Sequence, residues 1–136
     1  MGTRLAAYLS YRDAPAALDW LLALGFDVVR RTDADDGRVV HAEVRRDDVV
    51  LMVASDDADY QRPPLVGRST GAGLYLVLDD RATVDDLHRC GVEAGGRSVL
   101  GPEDTEWGAR RARLLDPEGR EWSFGTYAPG QPDEDW

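Results

Sequence analysis

Apolar and polar positions alternate with a period of two over residues 5–11 and then switch to helical spacing. Leu5, Ala7 and Leu9 alternate with Ala6, Tyr8 and Ser10, which predicts a strand with one buried face. Asp13-Ala14-Pro15 supplies a helix start, with Asp at or near the N-cap and Pro in the first turn. Ala17, Leu18, Trp20, Leu21, Leu22 and Leu24 then form a broad apolar face, and Gly25 is the expected stop. Residues 26–31, 38–45 and 49–54 read as strands, parted by turn clusters at 33–37 and 46–48. The order is βαβββ.

After a polar connection over 55–72 the same order returns. A strand at 73–78 and Asp79-Asp80 lead into a helix over 82–90 with Gly91 as the expected stop. Strands at 97–100, 109–115 and 120–126 follow, the last two joined by Asp116-Pro117-Glu118-Gly119. Two copies of about 55 residues, 5–55 and 73–127, predict a duplicated half-domain, because a solenoid needs three or more stacked units. The expectation is one α+β domain over residues 1–127 and a flexible acidic tail over 128–136. Alternation places Leu51, Val53, Leu74, Leu76, Leu78, Trp122 and Phe124 under the helices. Met52, Tyr75, Val77, Glu121, Ser123 and Gly125 fall on the opposite face.

Composition changes the picture mainly by exclusion. The chain has 136 residues with 43% hydrophobic and 31% charged positions, enough for an ordinary core without metal or disulfide staples. All 16 basic residues are Arg, and Lys, Ile and Asn are absent, which excludes a Schiff-base lysine, a phosphate-loop lysine and an Asn-dependent triad. The bias is that of a G+C-rich genome. A formal charge of −10 opposes non-specific nucleic-acid and anionic-membrane binding and favours a cationic small molecule at long range. Cys90 is the one cysteine, so no internal disulfide is expected, in keeping with a reducing cytosol. Residues 1–10 lack a long apolar run behind a basic one, so neither signal peptide nor membrane span is expected and the expected location is cytoplasmic.

Several segments together carry a family likeness: Tyr11-Arg12-Asp13 before the first helix, Leu24-Gly25-Phe26 after it, Trp107-Gly108-Ala109-Arg110, and the run from Asp116 through Glu121-Trp122-Ser123-Phe124. In this order and spacing the chain resembles the vicinal oxygen chelate superfamily of glyoxalase I, extradiol dioxygenases, and fosfomycin- and bleomycin-resistance proteins. The resemblance implies two βαβββ modules curling an eight-stranded mixed sheet into a cup, usually completed in a homodimer. It also implies metal ligands on the first and last strands of each half, positions that here read Ala6, Met52, Gly73 and Ser123. An Ala, a thioether, a Gly and a hydroxyl do not make a site for Zn, Ni, Mn or Fe. A slip of one residue offers Ala7, Leu51 or Val53, Ala72 or Leu74, and Trp122 or Phe124, again without a ligand. No metal and no other cofactor is expected.

The remaining candidates each carry two readings. His41 and Glu43 share one strand face and are either a general base with its orienter, two metal ligands, or a polar pair on a wet face. Arg111 and Arg113 occupy the repeat-related strand and either bind a ligand anion or join an internal network with glutamates. Trp107, in a Gly- and acid-rich loop, either stacks on a flat ligand or plugs a dimer seam. Tyr8, Tyr75, Met52 and, more weakly, Tyr60 extend the apolar lining, with Glu121 and Ser123 as polar contacts. Trp20 and Trp122 read as core, Cys90 as buried filler, and His88 as surface or half-buried. Gly71-Ala72-Gly73 precedes a strand and so fails as a phosphate loop.

Two functions follow. One is a metal-free, bleomycin-resistance-like homodimer that sequesters an aromatic or cationic compound. Trp107, Tyr8, Tyr75 and Met52 would contact it, Glu43 and Glu121 would pair with its cations, and Arg111 and Arg113 with any anion. The other is a metal-free isomerase, lyase or hydrolase acting on a small metabolite, with His41 or Glu43 as base.

Overall fold

The computed structural model describes residues 2–132, and the chain divides between Arg62 and Pro63 into two compact units. The first contains β1 (Ala7–Tyr11), α1 (Ala14–Ala23), β2 (Asp27–Asp33), β3 (Val39–Arg46) and β4 (Val49–Ser55). Its strands are ordered β1-β4-β3-β2, with β1 parallel to β4 and the other pairs antiparallel. The second contains β5 (Gly73–Val77), α2 (Arg81–Glu93), β6 (Arg97–Asp104), β7 (Arg110–Leu115) and β8 (Glu121–Gly125). Its order, β5-β8-β7-β6, repeats the first, including the one parallel pair. The eight strands therefore form two four-stranded mixed sheets, one per βαβββ module, in an α+β fold.

Both helices begin and end as local chemistry dictates. Asp13 caps α1 by accepting from Ala16 N at 3.1 Å, with Pro15 in the first turn. Asp80 caps α2, accepting from Thr83 N at 2.8 Å and the Thr83 hydroxyl at 2.7 Å. At the end of α1, Gly25 N donates to Leu22 O at 2.9 Å and Phe26 N to Leu21 O at 3.1 Å, with Gly25 at φ +88. This paired pattern is a Schellman motif. Arg46 donates to Leu24 O at 2.6 Å, adding a cation at the negative end of the helix.

The same motif corrects the expected end of α2. The helix passes through Gly91 and ends at Glu93, with Gly95 as the stop glycine: Gly95 N donates to Val92 O at 3.1 Å and Gly96 N to Gly91 O at 2.8 Å, with Gly95 at φ +118. Gly91 is a buried position within the helix, where glycine costs about 1 kcal/mol relative to Ala and is tolerated. The repeat equivalent of Gly25 is Gly95.

Strand parity follows the hydrophobic alternation. Leu9, Leu51, Val53, Leu76, Leu78, Trp122 and Phe124 are buried, as are Trp20, Leu21 and Phe26 in the first unit and Val84 and Leu87 in the second. Leu5 departs from it: the strand starts at Ala7, and Leu5 is 93% exposed. Leu74 is only half-buried. β6 runs on to Asp104 where the expected strand ends at residue 100, because Pro102 sits on the edge strand, beside register shifts that release its missing N–H from pairing. Residues 128–132 have no regular structure, and the rest of the predicted tail, 133–136, lies outside the described residues.

Candidate functional site

In the second unit the open face of the sheet, away from α2, carries a cavity of about 180 Å³. Tyr75, Trp107, Arg111, Arg113, Ser123 and Tyr127 line it, five of them residues singled out in the sequence. Among the described residues, the charged ones that line it are all arginines, Arg110 being the third, and none is a carboxylate. Two larger depressions on the first unit, about 620 and 480 Å³, contain none of the predicted ligand-binding residues.

Trp107 is held out by the turn between β6 and β7. Thr105 N donates to Ala109 O at 2.8 Å, Ala109 N donates back to the Thr105 hydroxyl at 2.9 Å, and Gly108 supplies the required φ of +83. The Trp107 side chain remains 62% exposed, with the Arg111 guanidinium 5.4 Å from its ring centroid. Glu103, directly opposite Arg111 on β6, holds that guanidinium through contacts of 2.9 Å from Nε and 2.8 Å from Nη2. Behind the turn, Arg81 at the start of α2 pairs with Asp104 and donates to Gly108 O, while Arg110 reaches Asp85 at 2.7 Å and Asp104 at 3.1 Å. On the far side, the Tyr75 hydroxyl donates to Tyr127 O at 2.7 Å. Burial pushes the Tyr75 phenol above its usual pKa, so it stays a donor at neutral pH.

Arg113 stands opposite Ser123 in the β7–β8 register. Its Nε donates to Ser123 Oγ at 2.8 Å and lies 3.3 Å from Glu121 Oε2, and its Nη1 donates to Arg68 O at 2.7 Å. Glu121 is buried. Its carboxylate accepts from Ser69 Oγ at 3.0 Å, Thr70 N at 2.6 Å and Thr70 Oγ1 at 2.9 Å. Burial alone would raise the carboxyl pKa, but the Thr70 and Ser69 donors and Arg113 outweigh it and hold the group below its ordinary value. Glu121 thus spends its charge inside the fold and does not line the cavity, contrary to the expectation that it meets a ligand cation. Gly73, its partner on β5, leaves room for it: a Cβ there would stand 3.0 Å from Glu121 Cγ.

The four positions where the resemblance implies a divalent ion do not fit one. Ala6 lies exposed before β1, Met52 offers a thioether, Gly73 offers nothing, and the Ser123 hydroxyl already faces a guanidinium. Among the described residues no group of three or more His, Cys, Asp or Glu is placed to hold a metal.

Of the other residues singled out in the sequence, Tyr8, His41, Glu43, Met52 and Tyr60 belong to the first unit, and His88 and Cys90 to the second. Tyr8, Met52 and Glu43 form one row across β1, β4 and β3, with Tyr8 81% exposed. His41 Nε2 and Glu43 Oε2 are 2.7 Å apart, and this bond holds the Glu43 carboxyl below its ordinary pKa. Tyr60 hydrogen-bonds Asp57 at 2.8 Å, His88 bonds Ser98 at 2.8 Å, and Cys90 is half-buried. Sequence reasoning missed Tyr127, Arg68, Ser69 and Thr70. Tyr127 continues the odd-numbered face of β8 and was findable by parity; the other three lie in the 55–72 connection, which has no periodic signal. Among the described residues no helix is long and apolar enough to cross a membrane.

Comparison with known proteins agrees with this architecture. Residues 5–124 match the family described as the Glyoxalase/Bleomycin resistance protein/Dioxygenase superfamily. The uncharacterized protein Mb0911c of Mycobacterium bovis is 30% identical over 128 residues, spanning 89% of this chain and 81% of that protein. TioX from Micromonospora sp. ML1 superposes with a TM-score of 0.68 at 25% identity, covering 91% of this chain and 98% of that one. A glyoxalase/bleomycin resistance protein/dioxygenase family enzyme from Burkholderia phytofirmans PsJN shares the fold, with a TM-score of 0.64 at 15% identity over 88% of this chain and 94% of its own. By its repeated βαβββ topology and this match over nearly its whole length, the chain belongs to the glyoxalase/bleomycin resistance protein/dioxygenase superfamily.

Proposed function

We propose that the chain is a metal-independent small-molecule-binding protein that sequesters a flat aromatic compound in the cavity of its second unit. The observation that carries this reading is the convergence of Trp107, Tyr75, Arg111 and Arg113 on one cavity. A volume of about 180 Å³ lies below the roughly 300–1,000 Å³ of pockets for drug-sized ligands and so admits no more than one or two fused rings. Of the two ligand classes expected from the sequence, the wall favours the aromatic over the cationic one, since its charged lining residues are arginines and no carboxylate is among them. The net charge of −10 acts at long range and is screened beyond roughly 8–10 Å, whereas the wall acts at contact. The reading includes a cytoplasmic homodimer, its dimeric part supported by the Tyr8 ring left 81% in solvent; sedimentation at the monomer mass removes that part.

The test is isothermal titration of the full chain with 2-naphthoate and 2-naphthamide. Stoichiometric binding of at least one, weakened about tenfold or more in Trp107→Ala, supports the reading; binding of neither overturns it. The second reading, a metal-free isomerase or lyase, draws on the 2.7 Å His41–Glu43 bond, which orients the imidazole and keeps its partner ionised. Multiple turnovers of a compound, lost in His41→Ala, would favour it; recovery of the compound unchanged at one equivalent per site would count against it.

A further inference from the structure

We infer that Arg113 stands in for the divalent ion of metal-dependent relatives, and that the cavity recognises a carboxylate on its aromatic ligand directly through this guanidinium. The inference rests on the binding reading above and names the ligand class of the same site.

The geometry starts from Ser123, the position where the resemblance implies a metal ligand. Its hydroxyl accepts from Arg113 Nε at 2.8 Å. A divalent cation beside that hydroxyl would meet the guanidinium at close range, and like charges at such a distance repel strongly wherever water is partly excluded. The two cations are alternatives, and this chain has built in the organic one. Its donors Nε and Nη1 are anchored on Ser123 and the Arg68 carbonyl, with Glu121 as counter-ion. Neither bond uses Nη2, and the side chain lines the cavity. Glu121 is itself saturated by Ser69 and Thr70, so the support under Arg113 is stiff.

The pairing with Glu121 leaves no large net charge, so recognition relies on directed hydrogen bonds more than on attraction at a distance. With Nη2 outside those bonds, the guanidinium keeps N–H donors for a carboxylate oxygen, aimed by its anchored plane in a way that a rotating ammonium is not. Trp107 and Tyr75 on the same wall accept the ring to which that carboxylate is attached. Arg111, already occupied by Glu103 through Nε and Nη2, serves mainly to back the Trp107 ring.

The experiment compares 2-naphthoate with its neutral analogue 2-naphthamide on the wild-type chain, with and without EDTA, and on Arg113→Gln and Arg113→Lys, with circular dichroism confirming each fold. The expected result is at least a tenfold preference for the acid, unchanged by EDTA, abolished in Arg113→Gln and reduced several-fold in Arg113→Lys. Equal affinities for acid and amide in the wild type overturn the inference while leaving the aromatic-binding reading intact. An acid preference that vanishes with EDTA, or that persists in folded Arg113→Gln, also overturns it. Binding of neither probe overturns both. The wild-type comparison is decisive even where a variant fails to fold.

Discussion

The ring of Tyr75 lies across Gly125 so closely that a Cβ on that glycine would sit 2.9 Å from both Cε1 and Cζ and closer still to the phenol oxygen. Gly125 pairs with Val77 on β5, so Tyr75, two residues earlier, reaches diagonally over β8 to place its hydroxyl on Tyr127 O. The glycine is needed here for close approach rather than for a left-handed backbone.

Gly125→Ala is therefore expected to push the Tyr75 ring off β8, costing about 1–3 kcal/mol of stability as an overpacking change. It should also weaken 2-naphthoate binding several-fold. Adding Tyr75→Ala to Gly125→Ala should recover most of the stability loss but not the binding, a non-additivity that urea unfolding of the single and double variants measures.

Trp107 separates binding from folding. Its side chain is 62% exposed and its ring meets the Arg111 guanidinium, an exposed cation–π contact worth about 0.5–1 kcal/mol. Trp107→Ala should leave the urea midpoint nearly unchanged while naphthoate affinity falls by about tenfold or more. A large stability loss would show that the ring is structural.

Asp116 organises the β7–β8 turn and the core beneath it. Its Oδ1 accepts from Glu118 N and Arg120 N, each at 3.0 Å, and its Oδ2 accepts from the buried Trp122 Nε1 at 3.2 Å. Asp116→Ala removes this acceptor from the indole N–H and opens the turn, with an expected cost of about 1–3 kcal/mol. Asp116→Asn should retain part of this, because its amide oxygen still accepts. Urea denaturation of the two variants checks the order.

Glu121 sets an acid dependence. Its folded pKa lies below the ordinary 4.5, so the unfolded chain takes up the proton first as pH drops. The stabilisation is complete above the ordinary value and is lost as pH falls below it and through the folded pKa. The stability difference between wild type and Glu121→Gln should be constant at neutral pH and shrink below about pH 4.5. Parallel pH profiles for the two proteins would contradict this.

What the sequence determined by itself is the repeated βαβββ order, the buried parity of the strands, the caps at Asp13 and Asp80, and the family, with its ligand-poor metal positions. These are encoded between residues two to four apart, where strand alternation, helical spacing and capping act. Five of the cavity residues were legible for the same reason, since Tyr75, Arg111, Arg113 and Ser123 share strand parity and Trp107 adjoins a turn glycine. That Gly95 rather than Gly91 is the stop glycine of α2 was less legible, because a lone glycine can either stop a helix or be packed within it. Only the tertiary structure decided what the charges do. Glu121 finds Ser69 and Thr70 across 52 and 51 residues of chain, and Arg113 finds Arg68 across 45. Such partners are chosen by distance through space once the strands are paired, which no local pattern records. That choice turns an acidic chain expected to attract cations into one whose cavity wall is lined with arginine.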